Sequence, residues 1–232
     1  MNNILVKAKN IDEAFLEWFE EMKKQNEKNF SIDSRDGEVV GEVLNAITVI
    51  EDPTRCIMQN KIRKMPMRYA IGELLWYLSA NRKLSAIQKY TNAWDRMSDD
   101  GIVVNSNYGW CIKEKYGFDQ FERCKEILTK DSSSRQAVIH IKEPRNTGTK
   151  DMNCTVYLQF FIRDEKLIMH SHMRSNDLWM GFPYDVFQFT CIQILMAMEL
   201  DLELGEYVHI ADSLHMYKRD FDKALENEKE IK

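Results

Sequence analysis

The 232 residues hold no run of about 18 apolar side chains, no CxxC or CxxH spacing, and no stretch gathering proline, glycine or serine into a linker. The first absence argues against a membrane-spanning helix, and the apolar run in MNNILVKAKNIDEAF is too short for a signal peptide. Five cysteines, Cys56, Cys111, Cys124, Cys154 and Cys191, are odd in number and dispersed. Such a set points away from a disulfide framework and a structural zinc site, and towards reduced thiols in the cytoplasm. A net charge of −5 also argues against a general nucleic-acid binder, so any anion site must be a local arginine cluster. With no compositional break or internal repeat, the expectation is a single domain over residues 1–232.

What is present reads as an α+β chain. Asn10, with Glu13 three residues on, caps a helix whose Ala14, Phe15, Trp18, Phe19 and Met22 share one face and which ends near Asn29. SRDG is a turn before a strand over 38–50 that carries a glycine-marked bend. Pro66 suits the first position of a helix through MRYAIGELLWYL, and another helix is expected at 118–130. Residues 135–142, 154–163 and 165–173 read as strands, the last two forming a hairpin at RDEK, and 206–211 as one more. VFQFTCIQILMAMEL, 186–200, is apolar nearly all round and should be a buried central helix. The expected architecture is a mixed sheet with helices packed on one face. Its other face carries large apolar residues and is free to meet a partner.

Several residues can do chemistry, and each also has a plainer structural reading. Cys154, in DMNCTVYLQFF, is either a nucleophile or a small buried hydrophobe. Glu73 interrupts an apolar helix, where desolvation would raise its pKa into the range of a general acid or base; otherwise it reaches water at the helix edge. Arg35, Arg135, Arg174 and Ser175 suit a phosphate, or are solvated surface groups. His215 and Tyr217 would share a face on a strand, as a ligand pair or a satisfied polar pair. Tyr108, in a turn-like NSNYGW, and Trp94 are ligand-facing or packed aromatics. In MRSNDLWMGFPYDVF, 173–187, Arg174, Asp177 and Asp185 stand among apolar neighbours, which buried charges tolerate only when paired.

Taken in order and at their spacing, these motifs resemble the thymidylate synthase superfamily over roughly residues 33–220, and more closely its cytidylate 5-hydroxymethylase branch. The resemblance places a catalytic Glu on Glu73 in ELLWYL, the active-site Tyr on Tyr108 and the nucleophile on Cys154. It implies phosphate ligands at Arg35, Arg174 and Ser175, with Arg135 of SRQ reaching the phosphate of the opposite subunit. Sugar-hydroxyl ligands fall on His215 and Tyr217. The folate side falls on Trp94, Asp177, Gly181 and Tyr184, and the co-substrate implied is 5,10-methylenetetrahydrofolate, with no metal. A thymidylate synthase-like fold and a sheet-to-sheet homodimer are implied as well, with no nucleic-acid or membrane partner.

Departures from the synthase pattern carry the finer expectation. GFPYD has Asp185 where synthases have Asn. An Asn amide suits uracil, whereas a carboxyl can accept from the amino group of cytosine and share a proton with ring N3. Thr155 and Met173 replace the usual His and Gln, as in phage deoxycytidylate hydroxymethylases, and Gln136 replaces the second arginine of the usual SRR. Fifteen residues follow Tyr217, so the long closing tail of the synthases is expected to be missing, which favours hydration over hydride transfer. The expected activity is 5-hydroxymethylation of CMP or dCMP through Cys154 addition at carbon 6. The alternatives are a synthase methylating dUMP and an inactive nucleotide- or RNA-binding homologue.

Overall fold

The computed structural model describes residues 4–28, 32–34, 37–144 and 150–231. The chain opens with β1 (Leu5–Ala8) and α1 (Ile11–Glu27). The Asn10 side chain caps α1 by accepting from the Glu13 amide at 3.1 Å, and Glu13 accepts in return from the Lys9 amide at 3.0 Å. The helix ends at Glu27, two residues before the expected stop. Its buried face is Ile11, Ala14, Phe15, Trp18, Phe19 and Met22, and the Trp18 indole donates to Thr48 at 2.8 Å.

β2 (Ile32–Ser34) and β3 (Gly37–Ile50) pair antiparallel; Arg35 and Asp36 of the expected SRDG turn lie outside the described residues. The expected bend is a register shift between Val39 and Gly41. A Cβ at Gly41 would stand 3.1 Å from Gln25 Cβ, so the missing side chain lets α1 lie close on the sheet. α2 (Met67–Leu78) follows with Pro66 as its N-cap rather than its first helical residue. Then come α3 (Leu84–Ile87), a 3₁₀ turn at Asp95–Met97, α4 (Tyr108–Lys113) and α5 (Gln120–Lys130). Tyr108 thus opens a helix instead of standing in a turn: Asn107 Oδ1 accepts from the Trp110 amide at 2.6 Å and caps it.

β4 (Val138–His140), β5 (Thr155–Arg163) and β6 (Lys166–Met173) form the expected antiparallel run, with the first strand shorter than expected. β7 (Asn176–Asp177), α6 (Phe182–Leu200), β8 (Glu203–Tyr217) and α7 (Lys218–Ile231) complete the chain. α6 starts a turn earlier than its apolar run suggests because Pro183 fits its first turn. β8 is far longer than 206–211, since it must pair β3 on one side and β6 on the other.

The strand order β1-β3-β8-β6-β5-β4, with β2 on β3 and β7 on β8, mixes parallel and antiparallel pairs. Helices cover one face, where Leu158, Phe160, Leu167, Met169 and Tyr207 are fully buried. The buried side of β8 changes phase between Ala211 and Leu214, opposite Asn45, whose φ is 55°. His215 and Tyr217 therefore lie on the strand face opposite the buried Leu214 and Met216, and their rings meet edge to face at 5.4 Å. Among the described residues no helix is long and apolar enough to cross a membrane.

Candidate active site

The site forms where the C-terminal ends of β6 and β7 meet α2, α4 and the start of α6. Cys154 is half-buried just before β5, and its carbonyl accepts from the Arg174 amide at 2.9 Å. The Arg174 guanidinium donates to the carbonyls of Met152 at 2.9 Å and Asn153 at 3.2 Å, and its Nη2 lies 3.7 Å from Cys154 Sγ. Two main-chain anchors thus hold a positive charge against the sulfur. Asn153 is itself fixed, donating to the Ser106 carbonyl at 3.0 Å. Ser175 follows Arg174 in the short link between β6 and β7 and is half-buried.

Tyr108 is 8 % exposed, stacked on Phe189 at 5.8 Å and packed on Tyr77 at 5.3 Å. Burial pushes its pKa well up, the nearby charges of Asp185 and Cys154 push it further, and the Thr155 hydroxyl opposes them. A phenol facing both carboxyl and thiol stays protonated and is a hydrogen-bond donor. Its approach depends on Gly109: a Cβ there would stand 1.7 Å from the Tyr77 carbonyl oxygen.

Glu73 is 4 % exposed and accepts from the Tyr69 hydroxyl at 2.7 Å, the Tyr77 hydroxyl at 3.3 Å and the Gln188 amide at 3.1 Å. Burial raises its pKa to about 7, although all three donors favour the charged form. Tyr69 and Tyr77 stand four residues before and after Glu73, one turn either way on the same helix face. Trp94 joins the same cluster, its indole donating to the Tyr69 hydroxyl at 3.2 Å and its ring meeting Trp76 at 5.2 Å. Tyr184 packs edge-on against Tyr69 at 4.8 Å.

Asp185, in the first turn of α6, accepts from Asn176 Nδ2 at 2.8 Å. Burial raises its pKa to about 8, with the neighbouring charges of Glu73 and Asp177 acting the same way and the Asn176 bond opposing. Near neutral pH this carboxyl is therefore largely protonated and can donate as well as accept. Asp177 Oδ1 accepts from the amides of Trp179 at 2.8 Å and Met180 at 3.0 Å, while Oδ2 accepts from no described residue. Burial raises the Asp177 pKa and His215, its partner across β7 and β8, lowers it. Gly181 closes the turn: a Cβ there would stand 2.8 Å from Asn176 Nδ2.

The structure therefore gathers Cys154, Glu73, Tyr108, Arg174, Ser175, Asp177, Gly181, Tyr184, Asp185, Trp94 and His215 into one region, with Tyr217 beside His215. It does not bring Arg135 there. Arg135 is exposed in the loop before β4 and lines a depression of ≈ 700 Å³ with Ser133, Arg163 and Asp164, none of them a site residue. Arg35 lies outside the described residues. Residues missing from the sequence expectation are Tyr69, Tyr77, Gln188, Asn176 and His209. The i±4 spacing about Glu73 is the signal that would have marked the two tyrosines; the others become visible through tertiary contacts. Among the described residues, no three His, Cys, Asp or Glu side chains come together as a metal site.

Residues 22–230 match the family model for thymidylate synthase. The deoxyuridylate hydroxymethyltransferase of Bacillus phage SP01 is 32 % identical over 200 residues, covering 80 % of this chain and 52 % of that protein. The chain thus spans about half the length of that relative. The solved thymidylate synthase of T4 phage superposes with a TM-score of 0.76 at 18 % identity, covering 90 % of this chain and 79 % of that one. Thermostable thymidylate synthase A of Bacillus subtilis also gives 0.76, at 21 % identity, covering 94 % and 84 %. By the extent of the family match, the chain belongs to the thymidylate synthase family.

Proposed function

We propose that this protein is a pyrimidine nucleotide 5-hydroxymethyltransferase that converts CMP or dCMP, 5,10-methylenetetrahydrofolate and water to the 5-hydroxymethyl nucleotide and tetrahydrofolate. The observation that carries the base assignment is Asp185, a carboxyl raised to a pKa of about 8 where it can both accept and donate. Hydroxymethylation is supported by the SP01 relative, which is named for that transfer. That name also favours a second reading, the same transfer onto deoxyuridylate.

In this reading Cys154 adds to carbon 6 of the base, which turns carbon 5 into a nucleophile and splits one hard substitution into easier steps. Arg174 stabilises negative charge on the sulfur and, with Ser175, Arg35 and a partner subunit's copy of Arg135, binds the phosphate. His215 and Tyr217 hold the sugar hydroxyl. Methylenetetrahydrofolate supplies the one-carbon unit when bound. The half-buried Trp94, the aromatic edge of Tyr184, Gly181 and the open Oδ2 of Asp177 suit a flat heterocycle bearing N–H donors. Glu73, poised near neutrality and held by three donors, exchanges protons with carbon 5 and with ordered water, and Tyr108 orients that water. Water then captures the exocyclic methylene on the base as the thiol leaves.

The chain acts in this reading as one catalytic domain within a homodimer. Two copies would meet through the uncovered sheet face, where Tyr157 packs on His172 at 5.2 Å and Phe161 on His170 at 5.0 Å. Release of tritium from carbon 5 of labelled dCMP or dUMP, dependent on Cys154, tests the covalent chemistry apart from the choice of base. Failure to release it from either nucleotide would contradict the proposed activity.

A further inference from the structure

Behind Asp185 runs a chain of polar side chains with almost no access to water. Asn176 donates through Nδ2 to Asp185 Oδ2 at 2.8 Å and presents Oδ1 to His209 Nε2 at 3.0 Å. His209 Nδ1 in turn faces the Tyr207 hydroxyl at 2.9 Å and the Ser171 hydroxyl at 3.1 Å, and these two oxygens are 2.7 Å apart. Asn176 is 3 % exposed, His209 1 %, and Tyr207 and Ser171 are fully buried. Four polar groups in a core cost stability unless each is satisfied, and here they satisfy one another. They reach the site through the hydrogen bond from Asn176 to Asp185.

The chain has a direction. A neutral imidazole carries one donor and one acceptor, and burial lowers the His209 pKa to about 3, so the ring is neutral. Asn176 Oδ1 can only accept, so the Nε2 that faces it carries the proton, and Nδ1 accepts from the hydroxyls beside it. Nε2–H then donates to Asn176 Oδ1, which turns the Asn176 NH₂ towards Asp185. Oδ2 of Asp185 is thereby committed to accepting, and the carboxyl proton is left to Oδ1. A glycine at 181 is what permits this approach, since a Cβ there would collide with Nδ2 and stand 3.2 Å from Oδ2.

That direction matters because an undirected carboxylic acid reads either pyrimidine. Against cytosine its protonated oxygen must face ring N3 and its accepting oxygen the 4-amino group; against uracil the two oxygens exchange roles. We propose that the Ser171–Tyr207–His209–Asn176 relay is the specificity determinant of the site, fixing which Asp185 oxygen donates and so which of the two bases is accepted. With Oδ1 facing N3, Oδ2 accepts from both Asn176 and the amino group, and cytosine is chosen. All four are positioning residues, and the inference rests on the proposed nucleotide chemistry.

The test is calorimetric titration of dCMP and of dUMP, without folate so that nothing turns over, into the wild-type protein, Asn176→Leu, and the conservative double variant Ser171→Ala/Tyr207→Phe. The double variant removes the donors to Nδ1, so the imidazole can reverse and turn the amide round; melting curves check that each variant is folded. The expected result is a wild-type preference for dCMP whose Kd ratio falls by about tenfold or more in both variants. Equal loss of affinity for the two nucleotides, or an unchanged ratio, would show a merely structural relay and overturn the inference. Wild type that binds both bases equally would overturn it too, with the nucleotide chemistry intact. Wild type that binds neither would instead overturn the proposed function.

Discussion

Arg174 Nη2 lies 3.7 Å from Cys154 Sγ while the same guanidinium grips the carbonyls of Met152 and Asn153. One residue therefore orders the loop that carries Cys154 and places a cation beside its sulfur. In the proposed function this arrangement would tie the thiol to the phosphate site.

Cys154→Ser should abolish turnover, by about 10³-fold or more, because a hydroxyl at neutral pH is a far weaker nucleophile than a thiolate. Nucleotide binding, followed by calorimetry, should stay within a few-fold. Turnover near wild type would remove Cys154 from the mechanism.

Asp185→Asn should shift the preference from cytosine to uracil nucleotides, since the amide fixes a donor and an acceptor that suit uracil. A mismatched buried hydrogen-bond pattern can cost about 10⁴-fold in kcat/KM. Kinetics with dCMP and dUMP in parallel check this, and an unchanged ratio would contradict base reading by Asp185.

Glu73 links stability to pH. Its pKa is raised from 4.5 to about 7 by burial, so between those values the unfolded chain has released a proton that the folded one keeps. Stability should fall as pH rises through that window and level off above it. At about 1.4 kcal/mol per unit the loss is on the order of 3 kcal/mol. Asp185 acts in the same direction, between 3.8 and about 8. Melting curves at pH 5 and pH 8 should show a drop in Tm that Glu73→Gln reduces; an equal drop in the variant would contradict the assignment.

Gly109→Ala should be severely destabilising or displace Tyr108, because the added carbon would stand 1.7 Å from the Tyr77 carbonyl oxygen, which belongs to a helix backbone. A loss of several °C in Tm, or of turnover without loss of nucleotide binding, is expected. A variant equal to wild type in both would show that α4 moves freely against α2.

Much of this was legible in the residues themselves. The Asn10–Glu13 pair marked the start of α1, alternation marked β5 and β6, and the lone carboxyl of Glu73 in an apolar helix marked a desolvated acid. Other features were not. β8 runs from 203 to 217 because partners on both sides hold it, which no local pattern records. The helix at Tyr108 depends on an Asn107 cap within a segment rich in turn formers. Nor does any local pattern mark His209, whose hydrogen bond to Asn176 spans 33 positions. Arg135 was expected to act across subunits, and within the chain it is exposed and lies outside the cluster.

The most direct test of the account is incubation with methylenetetrahydrofolate and, in turn, CMP, dCMP, UMP and dUMP, reading product mass and absorbance near 340 nm. The expected result is a hydroxymethyl mass gain on a cytosine nucleotide with no dihydrofolate signal, and the reacting member of the pair identifies the sugar. A methyl gain on dUMP with rising dihydrofolate absorbance would contradict it.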